Sequence, residues 1–350
     1  MRRILSTTIL VILAVPSLAW AQGGKPSSLA ELAAYSGADR EQILAAGAKA
    51  EGKVTWYTSL AGGSYKELAA AFEKKYSGVK VESYRGSSQD LLARITAEAQ
   101  ARRYLADSVE STMPLMKAMR DDKLLTPFYS PHLAKYPAEA KERADKGLFL
   151  WASARESYIG VAYNKKSIAA SDIPKSFEDL LRPALKDKLA FATSDTGSRM
   201  IAAMLQFKGE EFVKKMKQQS VRLYAVSGRA LLDLVISGEV GVSPTIFRNH
   251  ALVSIAKKAP VEWVPMDVVP TNAGAAAVPA GAPHPHAAAL FTDFILGPEG
   301  QKILEKFQYG SASKDYGFKR WYPEQGLTTE QYETASNKWD KLLREIGRKQ

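Results

Sequence analysis

The chain has 350 residues, 46% of them hydrophobic and 24% charged, and a formal charge of +11 at neutral pH, a globular composition long enough for two hydrophobic cores. It contains no cysteine, which excludes disulfides, thiolate metal sites, a thiol nucleophile and a lipid attached through an N-terminal cysteine. Its basic residues are scattered, with runs no longer than pairs such as Lys165-Lys166, Lys214-Lys215 and Lys257-Lys258, which reads as a solvated surface and not as a nucleic-acid footprint.

Residues 1–21 carry Arg2 and Arg3, an apolar stretch over 9–15 and the ending Ala19-Trp20-Ala21, the pattern of a secretory signal peptide cleaved after Ala21. The apolar stretch is too short for the roughly 20 residues that span a bilayer. Loss of Arg2 and Arg3 lowers the charge from +11 to +9, and a freely soluble periplasmic protein follows.

Residues 39–50 read as a helical lead-in, 54–58 as a strand and 59–63 as a loop containing Ser59 and Gly63. Ser64 and Glu67 have the spacing of a capping box, Tyr65, Leu68, Ala69, Phe72 and Tyr76 share one helical face, and Gly78 suits a left-handed end. The same grammar returns as strand 79–84, loop Arg85-Gly86, and a helix opened by Ser87 and Ser88, with Asp90 three residues after Ser87. A third strand is expected over 108–111, after which Thr112-Met113-Pro114 starts a helix, proline being tolerated in its first turn.

The middle of the chain is organised around 149–164, FLWASARESYIGVAYN. Its segment 158–163 is continuously apolar or small, as in a strand buried on both faces. Strand, loop and helix units lie on either side without a sequence repeat, so this strand reads as the passage between two α/β lobes, with a ligand cleft between them. A central strand of one large sheet is the alternative.

Beyond it come a short helix at 177–181, a strand at 189–192 and the polar loop 193–198, which supplies Asp195, Thr196, Gly197 and Ser198 ahead of the apolar positions Met200, Ile201, Met204 and Leu205. Strand 221–226, loop Ser227-Gly228 and helix 229–237 follow, ended by Gly238, and 240–245 and 261–264 complete the strands of the second lobe. Segment 271–279, TNAGAAAVP, suits a second crossover, after which helices 286–296 and 298–307 return to the first lobe. Thr328 with Gln331 caps a last helix whose stripe is Tyr332, Ala335, Trp339, Leu342 and Ile346. The expected lobes are 22–153 with 272–350, and 154–271.

Each strand ends in a turn that opens a helix, so backbone N–H groups converge at the carboxyl edges of the sheets. Arg85, Arg155, Arg199, Arg229 and Arg248 lie at these ends or at the crossover. Singly each reads as a surface charge; jointly they fit anion recognition. Helix N-termini contribute only about 0.3–1 kcal/mol each against the roughly 8 kcal/mol of micromolar binding, so one or two arginine contacts of about 1.5–3 kcal/mol are needed as well. Of the four histidines, His132, His250, His284 and His286, the His284-Pro285-His286 pair reads as a structural turn for want of a matching ligand set. Neither HExxH nor GxSxG occurs, and capping explains Ser64, Ser198 and Ser227. No enzyme and no cofactor are expected; a periplasmic hydrolase using the cleft is the alternative from another class.

The segments GADREQILAAGAKAEGKVTWYTS, YIGVAYNKK, FEDLLRPALKDKLAF, SGEVGVS and LFTDFILGPEGQKIL, in that order, resemble the periplasmic solute-binding proteins of ABC importers, in the branch that includes the ferric-iron-binding proteins, over about residues 39–307. The resemblance implies a periplasmic binding protein-like II fold: two α/β lobes joined by two crossover strands, closing over a small-molecule solute and delivering it, as a monomer, to the permease subunits. Iron-binding members place two adjacent tyrosines shortly after the SGEV strand, a histidine after the first strand and a glutamate after the third. Here those positions hold Arg248 and Asn249, Ala61, and Thr112. A guanidinium cannot coordinate a cation, so the expected solute is a small anion bound by Ser59, Gly63, Ser64, Ser87, Ser88, Thr112, Arg155, Asp195, Thr196, Gly197, Ser198, Arg229, Arg248, Asn249 and Asn272. Ferric iron bound with an exogenous anion is the alternative within the class. The intact mass of the secreted protein should correspond to a chain beginning at Gln22; retention of residues 1–21 in a membrane fraction would contradict the cleavage pattern.

Overall fold

The computed structural model describes residues 26–60 and 62–350; the expected signal peptide and Ala61 lie outside the described residues. In chain order α1 (Leu29–Ala34) and α2 (Arg40–Glu51) precede three strand–helix units: β1 (Lys53–Thr58) with α3 (Ser64–Lys75), β2 (Lys80–Arg85) with α4 (Ser88–Gln100), and β3 (Ser108–Thr112) with α5 (Met113–Asp121). The short strands β4 (Leu125–Thr126) and β5 (Lys141–Arg143) lead into β6 (Phe149–Asn164). Next come β7 (Ala190–Ala192), α6 (Asp195–Lys208), α7 (Glu210–Lys215), β8 (Val221–Tyr224), α8 (Gly228–Ser237), β9 (Val242–Phe247), α9 (Arg248–Ala256) and β10 (Val261–Val264). The chain closes with β11 (Val269–Pro279), α10 (Pro285–Leu296), α11 (Pro298–Lys306), β12 (Arg320–Trp321), α12 (Thr329–Glu345) and β13 (Gly347–Lys349).

β6 is 16 residues long and buried from Trp151 onward, and it serves two sheets in turn. Residues 152–158 pair antiparallel with 271–276 of β11, whereas 159–163 pair with β9 and 161–164 with β10. The strand therefore changes partners between Tyr158 and Ile159, at the head of the apolar run that marks it in the sequence. On the first-lobe side β11 continues onto β3, and β3, β1 and β2 are mutually parallel, giving the order β6-β11-β3-β1-β2. On the other side β7, β8 and β13 form a parallel sheet, linked to β9 by the backbone bridge from Leu189 to Val242.

Each side has its own core. Trp56 and Phe72 pack edge-on against Phe291 at 5.0 and 4.8 Å between ring centroids, while Phe177, Phe191 and Met200 centre the second. α12 was expected with the first lobe, but its Trp339, Leu342 and Leu343, with Ile346, are buried in the cluster that holds Met200, Ile201 and Met204 of α6. β13 then pairs with β8. The apolar stripe of α12 decides this, because α6 offers a complementary apolar face. The chain thus passes between lobes by the two expected strands and a third time through 307–328.

Local chemistry explains most boundaries. Ser87 with Asp90 and Thr328 with Gln331 form capping boxes, and Gly238 ends α8 in the left-handed conformation at φ 88°. The box expected from Ser64 and Glu67 does not form: the cap is Gly63, Ser64 turns inward as the first helical residue, and Glu67 pairs with Lys306 at 2.8 Å. The helix expected at 177–181 is a 3₁₀ turn at Glu178–Leu181, and the strand expected at 240–245 is Val242–Phe247. His284 and His286 sit at the start of α10 and grip carboxylates. His284 contacts Asp107 through its backbone N and Nδ1, both at 2.8 Å, and His286 contacts Glu51 at 3.0 and 2.7 Å. These acids occupy the helix N-terminus, where free N–H groups favour negative charge.

The third passage is fastened at the middle of β6. Glu156 is wholly buried, accepts hydrogen bonds from the hydroxyls of Tyr158 (2.6 Å) and Tyr322, and pairs with Arg320 at 3.0 Å. Its backbone exchanges hydrogen bonds of 2.9 and 2.8 Å with Gly310, where a Cβ would lie 2.2 Å from the Tyr158 hydroxyl. Removing one partner of a buried pair leaves the other uncompensated. Glu156→Ala should therefore lose about 3–5 kcal/mol in urea denaturation, and a loss within error of zero would show that this cluster does not hold the passage.

Candidate functional site

Strand ends from both lobes meet across β6 and β11. Gly274 of β11 is register partner to Thr112 of β3 on one side and Arg155 of β6 on the other, a row about 10 Å wide at roughly 4.8 Å per strand spacing. Arg155 lies back along this row. Its Nε donates to Glu110 Oε1 at 2.9 Å and its Nη2 to Ser59 Oγ at 3.3 Å, and its Cζ stands 5.4 Å from the Tyr309 ring centroid. Glu110 is fully buried, and its second oxygen accepts from Thr58 Oγ1 at 2.7 Å and from the Ser59 N–H at 3.2 Å. Only Nη1 of the guanidinium is left without a protein partner among the described residues. Glycine is required at 274: a Cβ there would lie 2.5 Å from Glu110 Oε1 and 2.7 Å from Arg155 Cζ.

Beside the row opens a cleft of about 400 Å³ whose walls come from both lobes. Four of the expected residues line it: Ser88, Thr112, Asp195 and Asn272. Ser88 Oγ is shared between Ser111 Oγ (2.9 Å) and Thr112 Oγ1 (2.8 Å). Across the cleft, Asp195 Oδ2 accepts from Arg199 Nε at 2.8 Å and from Asn272 Nδ2 at 3.5 Å. Arg199 is almost wholly buried, also pairs with Glu324, and keeps Nη1 unpartnered. Burial opposes its charge, but Asp195 and Glu324 prevail and raise its pKa.

The other expected residues have different surroundings. Ser59 belongs with Arg155 on the row. Ser87 is spent as a cap, Gly63 is an exposed cap, and Ser64 is buried. The polar loop expected at 193–198 is already helix from Asp195, so Thr196, Gly197 and Ser198 are buried in the first turn of α6. Gly197 is there for close packing, since a Cβ would fall 1.9 Å from the Ala192 carbonyl oxygen, and Ser198 donates to Asp340 of α12. Arg229 pairs with Asp233 one turn along α8 (3.0 Å) and links α8 to α9 through Ser254 (3.1 Å). Arg248 and Asn249 open α9; Arg248 stacks 5.3 Å from the Tyr316 ring centroid, and Asn249 Oδ1 is buried without a partner. Of the five arginines singled out in the sequence, three are therefore ion-paired, Arg85 reaches the Leu60 carbonyl at 3.3 Å, and Arg248 has no carboxylate partner among the described residues.

Sequence reasoning missed Glu110, Lys117, Tyr309, Tyr316, Tyr332 and Glu333. Glu110 had a signal: a carboxylate inside the strand SVEST has to find a partner when the strand is buried. Lys117 lines the cleft from α5, donates to the Leu327 carbonyl, and has its pKa lowered, chiefly by burial. Tyr332 and Glu333 line the cleft from α12, which had been placed on the other lobe.

A larger cavity, about 490 Å³, lies at the far end of α3, around Lys75 and Tyr76. Its polar groups largely satisfy one another, through Arg40 with Asp293 (2.8 Å), Tyr76 with Glu41 (2.7 Å) and Lys75 with Glu299 (2.8 Å). It is also remote from the strand ends, so the interlobe cleft is the candidate site. Among the described residues no group of three or more His, Asp or Glu is placed to hold a metal ion. Tyr316 has its pKa raised, mainly by burial, which keeps its phenol protonated.

A family model described as bacterial extracellular solute-binding protein matches residues 58–309. The Fe(3+)-binding periplasmic protein of Serratia marcescens is 26% identical over 243 residues, covering 66% of this chain and 70% of that protein. Iron-bound HitA from Pseudomonas aeruginosa has a similar fold, with a TM-score of 0.64 at 24% identity, covering 85% of this chain and 99% of its own. AfuA from Actinobacillus pleuropneumoniae, with exogenous fructose-6-phosphate bound, gives a TM-score of 0.63 at 24% identity, covering 84% and 99%.

Gly274→Ala should force the Arg155 guanidinium off Glu110 and lower stability by about 1–3 kcal/mol, as overpacking does. Chemical denaturation checks it; an unchanged midpoint would mean that Arg155 does not lie over this residue.

Proposed function

Because this chain belongs to the bacterial extracellular solute-binding proteins, with 58–309 inside the family, we propose that it is the periplasmic capture component of an ABC importer. Its lobes close over a small anionic solute and present it to the permease. The observation that supports the anionic reading is Arg155: a guanidinium fixed by a buried carboxylate on one edge, stacked on Tyr309, with Nη1 left without a protein partner among the described residues, on the strand row beside the cleft. Arg248 of the second lobe stacks on Tyr316, seven residues after Tyr309 along the third passage, so one segment carries both arginines.

The magnitudes are sufficient. Two charge-assisted contacts of about 1.5–3 kcal/mol, with two or three helix N-termini at about 0.3–1 kcal/mol each, approach the roughly 8 kcal/mol of micromolar affinity. Closure has a mechanical basis in the three passages, of which β6 changes sheet partners between Tyr158 and Ile159 while each lobe keeps its own core.

A ferric ion carried with an exogenous anion is the second reading, and it draws on the iron-binding relatives. Against it stands Arg248, a cation where the resemblance places a tyrosinate. Isothermal titration with citrate and with inorganic phosphate separates the readings. Arg248→Ala should weaken whichever anion binds by about ten- to a hundredfold, and the purified protein should take no colour from ferric iron. A red iron complex together with an unaffected Arg248→Ala variant would replace the anion reading with the iron one.

A further inference from the structure

We propose that α12, which lies beyond the matched residues 58–309, forms the specificity wall of the cleft and selects an organic anion bearing hydroxyl groups over a bare inorganic one. This rests on the anionic reading above. Size is the first argument: at about 400 Å³ the cleft falls within the range of pockets, about 300–1,000 Å³, that enclose organic ligands. Its walls are the second. Leu92, Pro114 and Leu115 give one apolar side, and the half-buried ring of Tyr332 contributes another. A hydrated inorganic ion would leave these surfaces wet, whereas a carbon skeleton would cover them.

The cleft carries both donors and acceptors. The hydroxyls of Ser88 on α4 and Thr112 at the end of β3 line it from the first lobe, and Arg155 stands on the strand row beside it. Towards α12 the cleft presents acceptors: Asp195 Oδ1 and the Glu333 carboxylate, which have no partner among the described residues, and Asn272 Oδ1, which is buried and unpartnered. Two exposed carboxylates repel an inorganic anion but accept hydrogen bonds from hydroxyls, and the buried, unpaired Asn272 Oδ1 disfavours an analogue that lacks a donor for it. Burial pushes the Tyr332 phenol up to about 12, so it remains a neutral donor and acceptor at ordinary pH. Arg199, almost wholly buried at the same wall, keeps Nη1 unpartnered and offers a donor to the hydroxyl oxygens.

The wall is held from both sides. Thr329 Oγ1 donates to Asp121 of α5 at 2.6 Å, Asp340 accepts from Ser198 of α6, and Tyr332 packs edge-on against Trp339 at 5.9 Å. α12 therefore places Tyr332 and Glu333 relative to both lobes.

Isothermal titration of the full mature chain with gluconate, hexanoate and inorganic phosphate tests this, with circular dichroism to confirm folding of each variant. Gluconate should bind at least about tenfold more tightly than hexanoate or phosphate. Glu333→Ala and Tyr332→Ala should each reduce that preference about tenfold, while Arg248→Ala should weaken all three anions. If phosphate binds as tightly as gluconate, or if the preference survives both α12 substitutions, the specificity wall is refuted and the anionic reading stands. If gluconate does not bind, the specificity wall is refuted, and the anionic reading is decided by the titration with citrate.

Discussion

Arg155 and Glu156 are buried side by side in the middle of β6, and the rest of the molecule is arranged so that each has a partner. Consecutive residues of a strand point to opposite faces. Arg155 thus turns to the interlobe side and meets Glu110, while Glu156 turns to the other and meets Arg320, Tyr158 and Tyr322. An unpaired charge in either position would cost several kcal/mol, so the two pairs fix where β3 and the third passage lie against the central strand. Gly274 and Gly310 are the permissive positions, since a side chain at either would collide with these clusters.

This arrangement connects stability to function. The ion pair that satisfies Glu110 also holds the Arg155 guanidinium in place on the strand row beside the cleft, so a solute that used it would lose little side-chain entropy on binding. The chain, by contrast, passes between the lobes through β6, β11 and 307–328, a linkage in which closure would reposition whole cores without repacking them. Specificity then falls to the element that touches both lobes. α12 buries Trp339, Leu342 and Leu343 in the second lobe and holds Asp121 of the first through Thr329.

Much of the architecture was legible in the sequence because local signals agreed with the tertiary result. The run 158–163 marks a strand buried on both faces, TNAGAAAVP a tight second crossover, and Ser87-Asp90 and Thr328-Gln331 real caps. Misreadings arose where long-range packing decided. A Ser at 64 and a Glu at 67 have cap spacing, but the helix starts at Ser64 and Glu67 is drawn to Lys306. The stripe of α12 shows that the helix is buried without showing against which lobe, and Tyr332 and Glu333 were missed with it. The lining of the candidate cleft was legible at Ser88, Thr112, Asp195 and Asn272, each at a strand end or crossover. Arg155, Arg199 and Arg229 could not be told from free arginines, because their carboxylate partners Glu110, Glu324 and Asp233 are identified only by the fold.

Whether the cleft between the lobes holds an organic anion can be read by native mass spectrometry of the protein isolated from the periplasm. A stoichiometric adduct of a small organic acid without iron, lost on mild activation, is expected. A stoichiometric iron adduct in its place would overturn the organic-anion reading.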